Sequence, residues 1–504
     1  MNARKKVLAT AAAAGCALLG GAGVTGSAVT TGPATGLGSA TTTGPATTTG
    51  HPISTAHSTP ARPSRSAPPA RSARPPTSAG CMKEFGIACY SPLQLQQAYD
   101  LPSLYARGLD GRGRTIVIVD PFGSPTLAHD LRVFDSGYGL PAPPSLRVLQ
   151  PVGQVPPYDP KNPDMVQSAG ETTVDVEAAH EIAPGANILV VETPVAETLT
   201  GGGFAQFMAA ENYVVAHNLG DVISQSFGIP EQNFPSRSVF LGLRSAFISA
   251  YQHKVTVLAS SNDFGVTGPT PAGALRTQQI VDWPASDPLV TGVGGTSLQL
   301  TASGHRTSPD TAWNESGNAA VARYAGAAPW ASSGGVSALF TRPAYQDPVR
   351  AIVGTRRGVP DVSFCASFSG GIATFESFTG APGSWRPAGG TSVGAPELAG
   401  IIAIADQYTH TRLGLINPVL YHMEQAHAPG VVDVTKGSNT VSFARNGKTV
   451  TVQGYPAKPG YDLVTGIGTI DAARFVLAQP APRRLPVISL AGGAAAAHRG
   501  HVRR

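Results

Sequence analysis

Acidic residues are missing from both ends of this 504-residue chain: positions 1–80 carry seven Lys or Arg and no Asp or Glu, and positions 477–504 carry five and none. The formal net charge of +5 therefore belongs to the ends, because 24 basic residues face 31 acidic ones between 81 and 476, a net of −7. A nucleic-acid-binding domain needs clustered cations to displace phosphate counterions, so the central region argues against that class. Cysteine is scarce, with four residues at positions 16, 81, 89 and 365. No paired C-x-x-C spacing with nearby His supports a zinc site. Cys81 and Cys89 instead suit a disulfide across a short loop, leaving Cys365 as a buried small residue. No repeat period is present, and the late apolar stretch Leu485–Ala497 is too short to span a membrane.

The N-terminus reads Met1-Asn-Ala-Arg4-Lys5-Lys6 followed by an apolar stretch from Val7 to Val24 and small residues near Ser27–Val29. This is the pattern of a secretory signal peptide, assigned to 1–29; a single-span anchor is the competing reading. Residues 30–80 are dominated by Thr, Ala, Pro, Ser and Gly and lack the apolar mass to offset chain entropy, so they are read as a linker or pro-segment. One foldable domain is expected over 81–476, followed by a basic disordered tail over 477–504. The expected product is a secreted, extracellular monomer with no stable membrane insertion after signal removal. Its basic ends suit contact with an anionic cell wall.

Within the foldable region, short β-branched runs are unbroken rather than alternating: Thr115–Val119, Asn187–Glu192, Val222–Ser226 and Val255–Ser260. Helical patterns separate them at Phe204–His217 and Ser238–His253. The combination predicts an α/β fold with a doubly wound, mostly parallel sheet buried on both faces by helices. Functional residues then collect at the carboxyl ends of strands, where Asp120, Ser226 and Asp263 fall. Gly/Pro-rich segments between 264 and 390 read as insertions.

Three strings carry chemistry. In Gly389-Gly-Thr-Ser392-Val-Gly-Ala-Pro396, a serine on a Gly-rich turn opens an apolar helix, where backbone N–H groups can stabilise an oxyanion. An ordinary Ser/Thr cap is the alternative. The same residues spell G-x-S-x-G, the elbow of an esterase or lipase, whose downstream His would be His410, His422 or His427. In Gly170-Glu171-Thr-Thr-Val-Asp175, a helix places Glu171 and Asp175 on one face at i,i+4. No Lys or Arg occurs between 162 and 236 to relieve them. Carboxyls forced together split their pKa values and can share a proton, although a solvated acidic face would also give this spacing. The third string, Ala259-Ser-Ser-Asn-Asp263-Phe-Gly265, reads alone as a turn.

Together with Ile118-Val-Asp120, Ser224-Gln-Ser226-Phe-Gly228, Asn314-Glu-Ser-Gly317 and Val359-Pro-Asp-Val-Ser363, these strings resemble the sedolisin (serine-carboxyl peptidase) family over about residues 81–474. The resemblance implies a subtilisin-like fold and hydrolysis of polypeptide substrates through an acyl-enzyme. It makes Ser392 the nucleophile, Glu171 the general base, Asp175 the residue that orients Glu171 and shares its proton, and Asp263 the acid that donates to the oxyanion. It further implies an acidic optimum and one structural Ca²⁺, held by the Asp433 and Asp462 carboxylates and the carbonyls of Val434, Lys458 and Gly460. A Ser-His-Asp site is the close rival, but it wants a His-Gly-Thr helix start, and none of the twelve histidines is followed by Gly. A non-catalytic cell-surface binding protein on the same fold is the remaining alternative. Asn262 and Phe264 flank Asp263 where the family usually has Gly and a small residue, and a low-complexity segment stands before Cys81 where the family commonly has a folded propeptide.

Overall fold

A computed structural model describes residues 74–380 and 382–480. The stretches read in sequence as an export signal, a linker as far as residue 73 and a tail beyond residue 480 lie outside the described residues. The apolar runs form strands Thr115–Pro121 (β1), Leu146–Leu149 (β2), Asn187–Thr193 (β3), Val222–Gln225 (β4) and Thr256–Ser260 (β5). Three further strands join them: Thr291–Ser297 (β6), Thr311–Ala312 (β7) and Val362–Cys365 (β8). The sheet order is β7–β6–β5–β4–β1–β3–β2, with β8 also paired to β6. Every pairing is parallel except β6 with β7.

Successive side chains leave a strand on opposite faces. Ile116 and Ile118 enter one core while Val117 and Val119 enter the other, which is why β1 is apolar throughout. Helices Pro163–Ile182 (α1) and Thr391–Thr409 (α5) fill the first core, and Phe204–Ala216 (α2), Arg237–Leu243 (α3) and Ser245–Gln252 (α4) fill the second. At the start of α1 the Asn162 side chain accepts from Asp164 N and Met165 N, with Pro163 in the first turn. The helix closes before Pro184.

Two expectations are corrected. The helix read over Ser238–His253 is two helices broken at Arg244, whose guanidinium pairs with Asp287 at 2.5 Å; apolar periodicity continues across the break and conceals it. The segment 264–390 holds β6, β7 and β8 of the central sheet, so it is not simply inserted loop. Strand β6 reads Thr-Gly-Val-Gly-Gly-Thr-Ser, which hides it, because glycine is a poor strand former. Close packing explains the composition: a Cβ on Gly294 would stand 2.6 Å from Ser363 Oγ and 2.7 Å from Pro360 Cγ.

The disulfide Cys81–Cys89 forms, and Cys365 is free and buried. Ordered structure reaches slightly past the boundaries drawn from composition: helix Ser78–Phe85, capped by the Thr77 side chain, starts before 81, and helix Ala472–Ala478 continues past 476. Among the described residues no helix is long and apolar enough to cross a membrane.

Candidate active site

Ser392 lies in the first turn of α5, a helix buried continuously from Thr391 to Asp406. A helix apolar on all sides belongs in a core, and its N-terminus opens at the carboxyl ends of the central strands. Gly390 makes the turn possible. Its φ of 112° is the left-handed region, and a Cβ there would stand 2.7 Å from Asp263 Oδ2. Pro396 has no N–H to offer the carbonyl four residues back, and Ser226 Oγ reaches that Ser392 carbonyl instead, at 3.5 Å. The Ser-x-Ser string at 224–226 is thereby tied to the serine helix.

Glu171 and Asp175 sit one turn apart on α1, both wholly buried, so the acidic stretch is not a solvated face. Burial pushes the Glu171 carboxyl well above its ordinary range, and the neighbouring Asp175 and Asp120 charges add to this. The Ser392 hydroxyl, beside Glu171, works in the opposite direction by favouring the carboxylate; the charge of Asp263 raises it further. Asp175 is raised by burial and then by Asp120, with the Ser226 hydroxyl opposing. No positive charge contributes to either shift. Asp120, at the carboxyl end of β1, thus belongs to the cluster, a place sequence reading marked without giving it a role.

Asp263 follows β5. Its Oδ1 accepts from Thr391 N at 2.8 Å and Thr391 Oγ1 at 2.8 Å, bonds that fasten it to the start of the serine helix. Its Oδ2 has no hydrogen-bond partner among the described residues. Burial raises the carboxyl to about 7 against the two Thr391 bonds, which act to lower it. The four residues singled out in sequence therefore meet in one buried cluster. Phe264 stacks on Trp330 with ring centroids 5.6 Å apart, so the larger residue fills a built aromatic niche.

The histidines that the rival readings would need stand elsewhere among the described residues. His410, His422 and His427 are exposed, whereas Ser392 is fully buried. His180, on the far half of α1, is buried with Nε2 2.9 Å from Pro141 O and 3.1 Å from Asp135 Oδ1. Strand Ser384–Ala388 does precede the Gly-rich turn, but in a separate small sheet. These placements remove the support for the esterase and Ser-His-Asp readings.

At the C-terminal end, Asp433 Oδ2 accepts from Gly460 N at 2.8 Å and Asp462 Oδ2 from Lys458 N at 2.9 Å. Both carboxylates therefore bind one short loop, 458–462, while the Val434 side chain is buried. Among the described residues no three His, Cys, Asp or Glu side chains gather as a metal cage. The five positions offer two carboxylates and otherwise backbone carbonyls, a hard-oxygen set that fits calcium and not zinc.

The sheet and the buried serine–carboxyl cluster define a subtilisin-like α/β protein, and comparison with known proteins narrows the class. No family model matches the chain. Kumamolisin of Bacillus sp. (strain MN-32) is 32% identical over 391 residues, covering 75% of this chain and 62% of the relative. Sedolisin of Pseudomonas sp. (strain 101) is 28% identical over 392 residues, covering 76% and 60%. Human tripeptidyl-peptidase 1 is 30% identical over 269 residues, covering 50% and 42%. The solved structure of Pseudomonas sedolisin, a serine-carboxyl proteinase complexed with two molecules of pseudo-iodotyrostatin, matches with a TM-score of 0.64 and 27% identity, over 78% of this chain and 98% of that one. The matched region spans at most 62% of the length of these curated relatives. The chain belongs to the sedolisin family.

Proposed function

We propose that this protein is an exported serine-carboxyl endopeptidase that cleaves polypeptides through an acyl-enzyme on Ser392. The observation that carries this reading is the Glu171 carboxyl beside the Ser392 hydroxyl in a buried cluster to which, among the described residues, only further carboxyls contribute charge. Ser392 Oγ attacks the scissile carbonyl carbon while Glu171 takes its proton. Glu171 then returns that proton to the departing amine, and a water repeats the attack to free the acid product. One negative charge shared among Glu171, Asp175 and Asp120 suffices, and the Ser392 hydroxyl favours placing it on Glu171. Asp263, raised to about 7, holds its proton in acid and offers it from Oδ2 to the oxyanion. A histidine base would be charged in the same range and unable to accept. Export rests on the N-terminal string and on the Cys81–Cys89 disulfide, which suits an oxidising compartment.

The test is cleavage of a denatured protein between pH 3 and 8, with product termini mapped. Cleavage at internal bonds in acid, abolished by Ser392→Ala in a protein of unchanged Tm, is the expected result. Activity confined to neutral pH, or surviving Ser392→Ala, would overturn the reading.

Asp433 and Asp462, with the carbonyls of Val434, Lys458 and Gly460, are the residues that would hold calcium, which there supplies cross-linking of loops and no chemistry. A ligand at one hundred times its Kd adds about 2.7 kcal/mol to stability. Chelation is therefore expected to lower Tm by about 3 °C, with recovery on adding Ca²⁺ and not Zn²⁺. An unchanged Tm would argue that these loops stand without a metal.

A further inference from the structure

Asn262 departs from the glycine its family usually places before the oxyanion acid, and the structure gives the departure a purpose. Its φ is 88°, a left-handed conformation in which a side chain is disfavoured, although Asn is among the residues that tolerate it best. The side chain is 2% exposed and both ends of its amide are used. Oδ1 accepts the N–H of the very next residue, Asp263, at 2.6 Å, and Nδ2 donates to Asp282 Oδ2. The backbone is held as well: Asn262 N donates to Thr391 Oγ1 at 3.2 Å and its carbonyl accepts from Ser333 N at 3.0 Å.

Asp282 is a firm anchor. It lies in the two-residue strand Asp282–Trp283, paired antiparallel with Ile229–Pro230. The adjoining Trp283 is fully buried, with Phe204, Phe234, Phe240 and Phe247 rings at 5.4 Å. The charged groups facing Asp282 are Glu231, Asp263 and Arg276, and burial raises its carboxyl to about 8. In acid it is neutral and keeps an oxygen for Asn262 without placing a charge next to the protonated Asp263.

We propose that Asn262 and Asp282 are positioning residues that form a strut from the second core to the Asp263 peptide and hold the oxyanion donor in place. This inference rests on the peptidase reading. The strut acts through Asp263 and touches no substrate, so its effect should appear in the transition state and not in binding.

Glycine adopts φ 88° without strain, so Asn262→Gly deletes the strut and spares the fold. On a chromogenic peptide at acid pH, Asn262→Gly is expected to lower kcat about tenfold with KM within twofold, at an unchanged Tm. Asp282→Ala should give a similar loss, the double variant no further loss, and Asp282→Asn, which keeps an oxygen acceptor, should restore most of the activity. If Asp282→Ala fails to fold, Asn262→Gly and Asp282→Asn still decide the matter. A wild-type enzyme that cleaves while Asn262→Gly keeps kcat within twofold would sink the strut alone. Failure of the wild type to cleave anything would sink the peptidase reading and the strut with it.

Discussion

Glu171→Gln is expected to lower kcat by about a thousandfold, within the range typical of removing a general base, while KM changes less than about twofold. Gln occupies the same volume and still hydrogen-bonds a hydroxyl, but it cannot accept the Ser392 proton at any pH. The comparison is therefore sharper than a truncation to alanine, which would leave a cavity in a fully buried site. Asp175→Asn should cost less, because the neutral amide still faces Glu171 and Ser226 while the second carboxyl that shares the proton is gone. With one fewer acid in the cluster, Glu171 loses a charge that raises its pKa, so the acid limb of the pH–rate profile should move downward in this variant. Steady-state kinetics from pH 3 to 8 on all three proteins measures both effects. A Glu171→Gln enzyme with more than about a tenth of wild-type kcat would remove the carboxyl base from the mechanism.

Much of this arrangement is legible in the sequence. The strands are strongly β-branched and buried on both faces, so β1, β3, β4 and β5 stand where apolar runs predict them. Glu171 and Asp175 were linked by helical spacing, and Ser392 by its Gly-rich turn. What joined the three strings was resemblance, because nothing in local spacing says that residues 171, 263 and 392 converge. The missed elements share a physical cause. Strand β6 was concealed because close contact with Ser363 and Pro360 demands glycine where a strand usually shows β-branched residues. The break at Arg244 falls inside a continuous apolar pattern. Asp120 gave only its strand-end position, and Asp282 gave nothing, since its contact with Asn262 joins positions twenty residues apart through the fold. Asn262 could be seen as an exception in sequence, but only its left-handed φ and its two amide bonds explain it.

The same buried carboxyls set the stability of the whole domain. Tm is expected to be highest between pH 3 and 5 and to fall by more than about 10 °C by pH 8, even for a catalytically dead Ser392→Ala protein that cannot digest itself. Glu171, Asp175, Glu177, Glu181, Glu211 and Glu397 are all wholly buried, and burial is the largest cause raising each of them. Asp263, Asp282 and Asp406 are raised to about 7, 8 and 8 by the same cause. For an acid whose pKa is higher folded than unfolded, the folded state binds more protons. Its stabilising contribution is complete below the unfolded value near 4 and is lost as pH rises through the folded one. A tenfold change in the acidity of one such group is worth about 1.4 kcal/mol, and a typical domain has only about 5–15 kcal/mol in total. Nine groups moving in one direction therefore outweigh the opposing surface pair of Asp110 with Arg112, which is partly exposed and screened. The helix contact between α1 and α5 is the sharpest single test, because Glu181 and Glu397 face each other there and the charge of Glu397 raises Glu181. Glu397→Gln should lift Tm at pH 7 by at least about 2 °C and leave it unchanged at pH 4, where both carboxyls are already neutral. A Tm that stays flat from pH 4 to 8 would show that these acids ionise inside the fold at little cost, and the acid range of activity would then be set by the active site alone.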